Sequence, residues 1–212
     1  MRAEQKRIAL GFLRSRDWTS LRGWTRTNRR ALATLYSLMY DPDELVKWRA
    51  IEATGIAARV KADRDLDRVR DFIRRCIWLM NDESGGLGWH SPEVIGEVLV
   101  NVPELIAEYG GLLPHYFFEE PFERGAVIAV SRVGGLAPSL ISEHADELMT
   151  LLGDADPGIR FHALRALKKI DTRLPDALVQ RLSRDSDEVS VYDFENGHLE
   201  RVSVAGCLSG KH

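Results

Sequence analysis

Three groups of residues in this chain have types and spacings that bear on chemistry. The first is Gly85-Gly86-Leu87-Gly88-Trp89-His90, followed by Ser91-Pro92-Glu93. Glycines let a backbone approach a ligand closely, and Trp89 and His90 add an aromatic face and a titratable ring. Gly86, Gly88, Trp89, His90 and Glu93 form the candidate partner-binding set. Ser91 as cap and Pro92 at a first helical position open a helix whose free amides suit an anion, with Glu93 competing for that place. The alternative is a turn between helices in which Trp89 plugs the core. The spacing is not a dinucleotide fingerprint, because no strand precedes it.

The second group is basic. The formal charge is −3 overall, yet residues 1–30 carry nine Lys/Arg against Glu4 and Asp17, while the remainder carries 20 basic and 30 acidic residues. Arg7, Arg14, Arg16, Arg22, Arg26, Arg29 and Arg30 interleave with Trp18 and Trp24, a pattern suited to phosphate contacts and base stacking. Arg22, Arg26, Arg29 and Arg30 are the candidate anion-binding residues. The same pattern also fits a solvated helix face packed on the acidic remainder.

The third group excludes more than it offers. The histidines at 90, 115, 144, 162, 198 and 212 are scattered, and neither His-Glu-x-x-His nor paired Cys-x-x-Cys occurs. His115 and Glu119 can share a helix face, but two ligands make a weak metal site. Cys76 follows a helical apolar stripe and reads as a packing residue, while Cys207 near a glycine-rich end reads as an exposed thiol. No catalytic residue, metal ligand or cofactor is assigned.

These residues need elements to hold them. Residues 3–15 read as an amphipathic helix, and Asp17–Thr27 as a loop or broken helix anchored by Trp18, Leu21 and Trp24. Asn28 caps a helix over Arg29–Tyr40. Asp41 caps another that starts at Pro42, with Leu45, Trp48, Ile51, Ala53 and Ile56 as its buried stripe. Helices are also expected at Asp65–Met80, Pro92–Asn101, Pro103–Tyr109, Leu112–Phe118, Phe122–Val133, Ala137–Leu152, Pro157–Ile170 and Pro175–Leu182. After Val189 the period changes to two. Asn196-Gly197 as a two-residue loop pairs Tyr192 with Arg201 and Val191 with Val202.

The chain repeats itself. Aligning Ala50, Ala126 and Ala163 gives separations of 76 and 37, so a unit of about 38 residues recurs, with the helix at Pro92 filling the gap. Units of this size are helix pairs that bury their apolar faces only by stacking. The stretches DPDELVKWRAIEATG (from Asp41) and DADPGIRFHALRAL (from Asp154) resemble HEAT-type repeats, in particular the short bacterial variety first noted in phycobilisome lyases. The resemblance spans roughly residues 28–182. It implies an all-α, right-handed α-solenoid (superhelix) of about four helix pairs in a single domain, with a basic helical cap over 1–27. The hairpin over 187–205 would cover the end of the stack.

That resemblance implies a binding scaffold and carries no lyase residues onto this chain. The expectation is a non-enzymatic protein that binds another protein along its curved surface. The alternative is a nucleic-acid-binding protein related to the HEAT-like DNA glycosylases for alkylated bases, although their groove takes basic residues from several repeats. Two cysteines cannot build a disulfide framework, and no apolar run approaches the roughly 18 residues of a membrane span. The expected place is the cytoplasm, with no membrane partner.

Overall fold

The computed structural model describes residues 2–81 and 88–210. It is mostly helical. The elements are α1 (Arg2–Ser15), α2 (Trp18–Thr27), α3 (Ala31–Tyr36), α4 (Glu44–Ala62), α5 (Leu66–Met80), α6 (Ser91–Asn101), α7 (Ile106–Tyr109), α8 (Glu123–Val133), α9 (Pro138–Ser142), α10 (Ala145–Leu151), α11 (Pro157–Lys168), α12 (Asp176–Leu182) and α13 (Val204–Leu208). Short 3-10 segments flank α7 at Pro103–Leu105 and Gly110–Tyr116. Two antiparallel strands, β1 (Glu188–Asp193) and β2 (His198–Ser203), complete the described residues.

Helices α4, α6, α8 and α11 pack each against the next, and α5 and α10 lie beside this row. Of the stripe predicted for α4, Trp48, Ile51, Ala53 and Ile56 are buried and Leu45 is half-buried, while Ala126 and Ala163 at the aligned positions are buried. Small residues set the spacing of the row. A Cβ on Gly96 of α6 would sit 2.7 Å from the Ala129 Cα of α8, a clash with backbone that no rotamer relieves. Gly96→Ala should therefore force the two helices apart and cost about 1–3 kcal/mol in denaturant unfolding. An unchanged midpoint would refute this account of the spacing.

Several local expectations are corrected. Asp17–Thr27 holds a continuous helix, because the Asp17 carboxylate accepts from the Ser20 amide at 2.9 Å and caps it. Asn28 ends α2 and accepts from the Arg30 amide at 2.8 Å, and the following helix is only Ala31–Tyr36. The cap of α4 is Asp43, whose Oδ1 accepts from the Leu45 amide at 2.9 Å, so Pro42 precedes the helix. Asp41 instead accepts from Asp43 N at 3.0 Å in a turn that sets up this cap. The helix expected over Ala137–Leu152 is split into α9 and α10.

The hairpin differs most. Its register pairs Tyr192 with Leu199 and Val191 with Glu200, two residues from the expected pairing, and the loop is Phe194–Gly197. Asp193 explains the longer loop: its Oδ1 accepts from the Glu195 and Asn196 amides at 2.7 and 3.1 Å, and Gly197 follows at φ 75°. A shift of two keeps each side chain on its expected face. Nor does the hairpin simply cover the last helices. Its base is tied to α11, where Arg160 donates to Asp185 at 2.8 Å and Asp187 at 2.6 Å. Its tip reaches the other end of the chain, onto α4. Cys207, expected exposed, is fully buried beneath this corner.

Candidate functional site

The glycine-rich segment divides in the structure. Gly86 lies outside the described residues. Gly88 is buried against the Leu79 carbonyl of α5, which leaves no room for a side chain there. Trp89 does not plug the core; it stands 59% exposed. His90 is half-buried, its ring 5.7 Å from that of Tyr40 and its Nδ1 3.3 Å from Glu93 Oε1. Glu93 itself is buried, with Oε2 making no hydrogen bond among the described residues.

Ser91 is not the expected side-chain cap. Its hydroxyl is fully buried and bonded to the Tyr36 hydroxyl at 2.8 Å. With Ser91, Pro92 and Glu93 all buried, the α6 amides present no open anion site. What this end of the molecule does present is aromatic. Trp78 on α5 is 61% exposed and Phe118 58%. Asn81, one turn after Trp78, bonds the Tyr116 hydroxyl at 3.3 Å, which brings the Phe118 segment to the same helix end as Trp89.

The basic N-terminal residues stay in solvent. Arg22, Arg26, Arg29 and Arg30 are exposed, and from Lys6 to Arg30 only Arg16 enters an ion pair among the described residues. Among the described residues, no acidic side chain of the remainder pairs with these four arginines. The two tryptophans are tied into the fold. Both are half-buried, and their indole N–H groups are spent internally, Trp18 on Glu52 at 2.9 Å and Trp24 on Gln5 at 2.9 Å.

A third site was not expected from the sequence. It lies where the hairpin meets α4, α8 and α11. Arg16 ends α1 in the left-handed region at φ 51° and donates to the Phe194 and Glu195 carbonyls at 2.7 and 2.9 Å. Arg49 on α4 donates to the Gly197 carbonyl at 2.9 Å and to the Arg14 carbonyl at 2.8 Å. Glu52 collects Arg16, Trp18 and the Tyr192 hydroxyl. The Tyr192 and Trp48 rings are parallel, 6.1 Å between centroids. Phe194 lies under the Arg132 guanidinium, 3.8 Å from its ring centre.

Arg132 in turn holds Glu97 of α6, donating from Nη2 at 2.7 Å and Nε at 3.0 Å, while Asn101 donates to the other oxygen at 3.1 Å. Burial pushes the Glu97 carboxyl up to about 7, with Arg132 opposing it. Burial, together with Arg165, Arg124 and Lys169, holds His162 down to about 3, so this imidazole is neutral. The ammonium of Lys169 donates to the Ser131 carbonyl, and burial plus the nearby Arg165 and Arg132 lower it to about 8. Chemically, this arrangement anchors the hairpin and concentrates donors. Its two glutamates are both consumed by internal partners.

The signal for this site was faint but present. Glu52 and Glu97 each interrupt a run of apolar residues, AIEATGIAA and VIGEVLV, and a carboxylate there must find a partner. One further group bears on metals. Asp193, His198 and Glu200 place ligand atoms within 4.8 Å of one another on the hairpin. Asp193 already spends its oxygens on Glu195, Asn196 and the Asn196 side chain, and His198 is exposed and 2.8 Å from Glu200.

The chain is similar to an uncharacterized protein of Archaeoglobus fulgidus, 29% identical over 179 residues that cover 82% of this chain and 91% of the archaeal one. No protein-family model matches the chain. No solved structure matches it. No helix among the described residues is long and apolar enough to cross a membrane.

Proposed function

We propose that this chain is a cytoplasmic, non-enzymatic HEAT-like scaffold, a right-handed α-solenoid that binds another protein. The consecutive packing of α4, α6, α8 and α11 supports the repeat reading. The observation that carries partner binding is the exposure of Trp78, Trp89 and Phe118 around one helix end. Large exposed aromatics grouped on an otherwise charged surface favour a protein interface, and tryptophan is the residue most enriched among binding hot spots. This reading puts the partner at that end of the molecule, and not along the α4–α11 row on which the hairpin lies.

The test compares wild type with Trp78→Ser/Trp89→Ser in capture from a native extract, followed by affinity measurement on the partner recovered. The double variant should melt with the wild type and bind at least about tenfold more weakly. Equal capture by both proteins would remove this surface. Turnover of a small substrate by the unpartnered chain would overturn the scaffold reading.

A second reading is favoured by one specific observation: Arg22, Arg26, Arg29 and Arg30 are exposed and enter no ion pair among the described residues. A nucleic acid laid on α2 and the turn that follows it would contact these through phosphates. Four such contacts give a slope of about −3.6 in log affinity against log salt on labelled duplex. A flat or absent response removes this option.

A further inference from the structure

The hairpin roofs a recess whose walls include Trp48, Arg132, His162, Arg165, Lys169 and Phe194. Its polar groups are donors. Arg165 is only partly exposed and, among the described residues, makes no hydrogen bond or ion pair. Lys169 has one proton on the Ser131 carbonyl and no carboxylate partner among the described residues. Arg132 uses Nε and Nη2 on Glu97. The Nε1 of Trp48 is buried and, among the described residues, has no hydrogen-bond partner. Asp193 is the carboxylate that acts on Arg165, but its oxygens are engaged by the turn that follows it.

Among the described residues, two cations therefore line the recess without a hydrogen-bonded counter-charge, and Trp48, whose indole N–H is unpartnered, lines it with them. Partly buried charges without partners are costly, and native proteins generally satisfy buried donors. The recess has room for about one water-sized body. A water would accept from the indole, but it would leave the positive charge in place. We infer that the recess is a halide-sized anion site, held by the Arg165 guanidinium and the Lys169 ammonium with Trp48 as the neutral donor. Its occupant offsets the charge between α8, α11 and the hairpin and so fastens the hairpin to the helices.

The experiment uses the full chain with bromide and chloride as probes. Crystals soaked in bromide should show an anomalous peak in the recess beside Arg165 and Lys169. In melting at constant ionic strength, replacing gluconate by chloride should raise the midpoint saturably, by about 8 °C at a hundredfold excess over Kd. Lys169→Met should weaken that dependence at least tenfold, and Arg165→Leu/Lys169→Met should abolish it. A water in place of the bromide peak overturns the proposal. So does a chloride response that is undiminished in the Lys169→Met chain. The bromide result stands on wild type, so a double variant that fails to fold does not leave the matter open.

Discussion

Replacing Arg132 by methionine is expected to cost about 3 kcal/mol at pH 8, the largest loss from any single side chain in the hairpin site. The reason is what remains. Glu97 is 4% exposed, and both of its strong donors from α8 are on Arg132. Removing them strands a carboxylate between α6 and α8 and also withdraws the cation from the Phe194 ring. The loss should depend on pH in a defined sense. Burial already raises the Glu97 pKa, and Arg132 is the chief influence lowering it. Without Arg132 the carboxyl rises further and takes up a proton, so the penalty should be smaller at pH 5 than at pH 8. Adding Glu97→Gln should return most of the stability. Denaturant unfolding of the single and double variants at the two pH values decides this. An equal loss at both, unrescued by Glu97→Gln, would show that the charge pair is not the cause.

The second large effect belongs to His162. Its folded-state pKa of about 3 lies below the ordinary value of 6.5, so the unfolded chain takes the proton first. The neutral histidine's contribution is present above pH 6.5 and is lost as pH falls from there toward 3. At pH 5 the loss is about 2 kcal/mol from this group alone. Glu97 acts in the opposite sense between about 4.5 and 7, because its raised pKa favours the protonated folded form on acidification. The wild-type curve therefore mixes the two. The difference between wild type and His162→Gln isolates the histidine, and that difference should move by about 2 kcal/mol in favour of the variant from pH 7 to pH 5. A difference independent of pH would mean that His162 is charged or solvated in the folded chain.

How much of this was legible in the sequence follows from the range of the forces involved. Helix periodicity and capping are local. The apolar stripe of α4, the helical character of most of the chain and the two-stranded hairpin near its end were all readable. The aligned alanines at 50, 126 and 163 pointed to a recurring unit, and all three are buried. Errors of detail came from competition between nearby acceptors. Asp43 displaced Asp41 as a cap, and Asp193 lengthened the hairpin loop by binding its amides. The placement of the candidate residues was half legible. Trp89 and the four arginines are exposed, as a binding role requires, but Glu93 and Gly88 are packed inside.

The sequence by itself determined the helices, the apolar faces they must bury and the strand pair that follows them, because these depend on neighbours within a few residues. Only the tertiary structure decided where the strand pair lands. Arg16 and Arg49 meet carbonyls of Phe194, Glu195 and Gly197, and Glu52 meets Tyr192, across separations of more than a hundred residues. No spacing in the chain encodes such pairs. They form because packing the helix row brings buried charges together, and a buried charge must be matched by whatever segment can reach it.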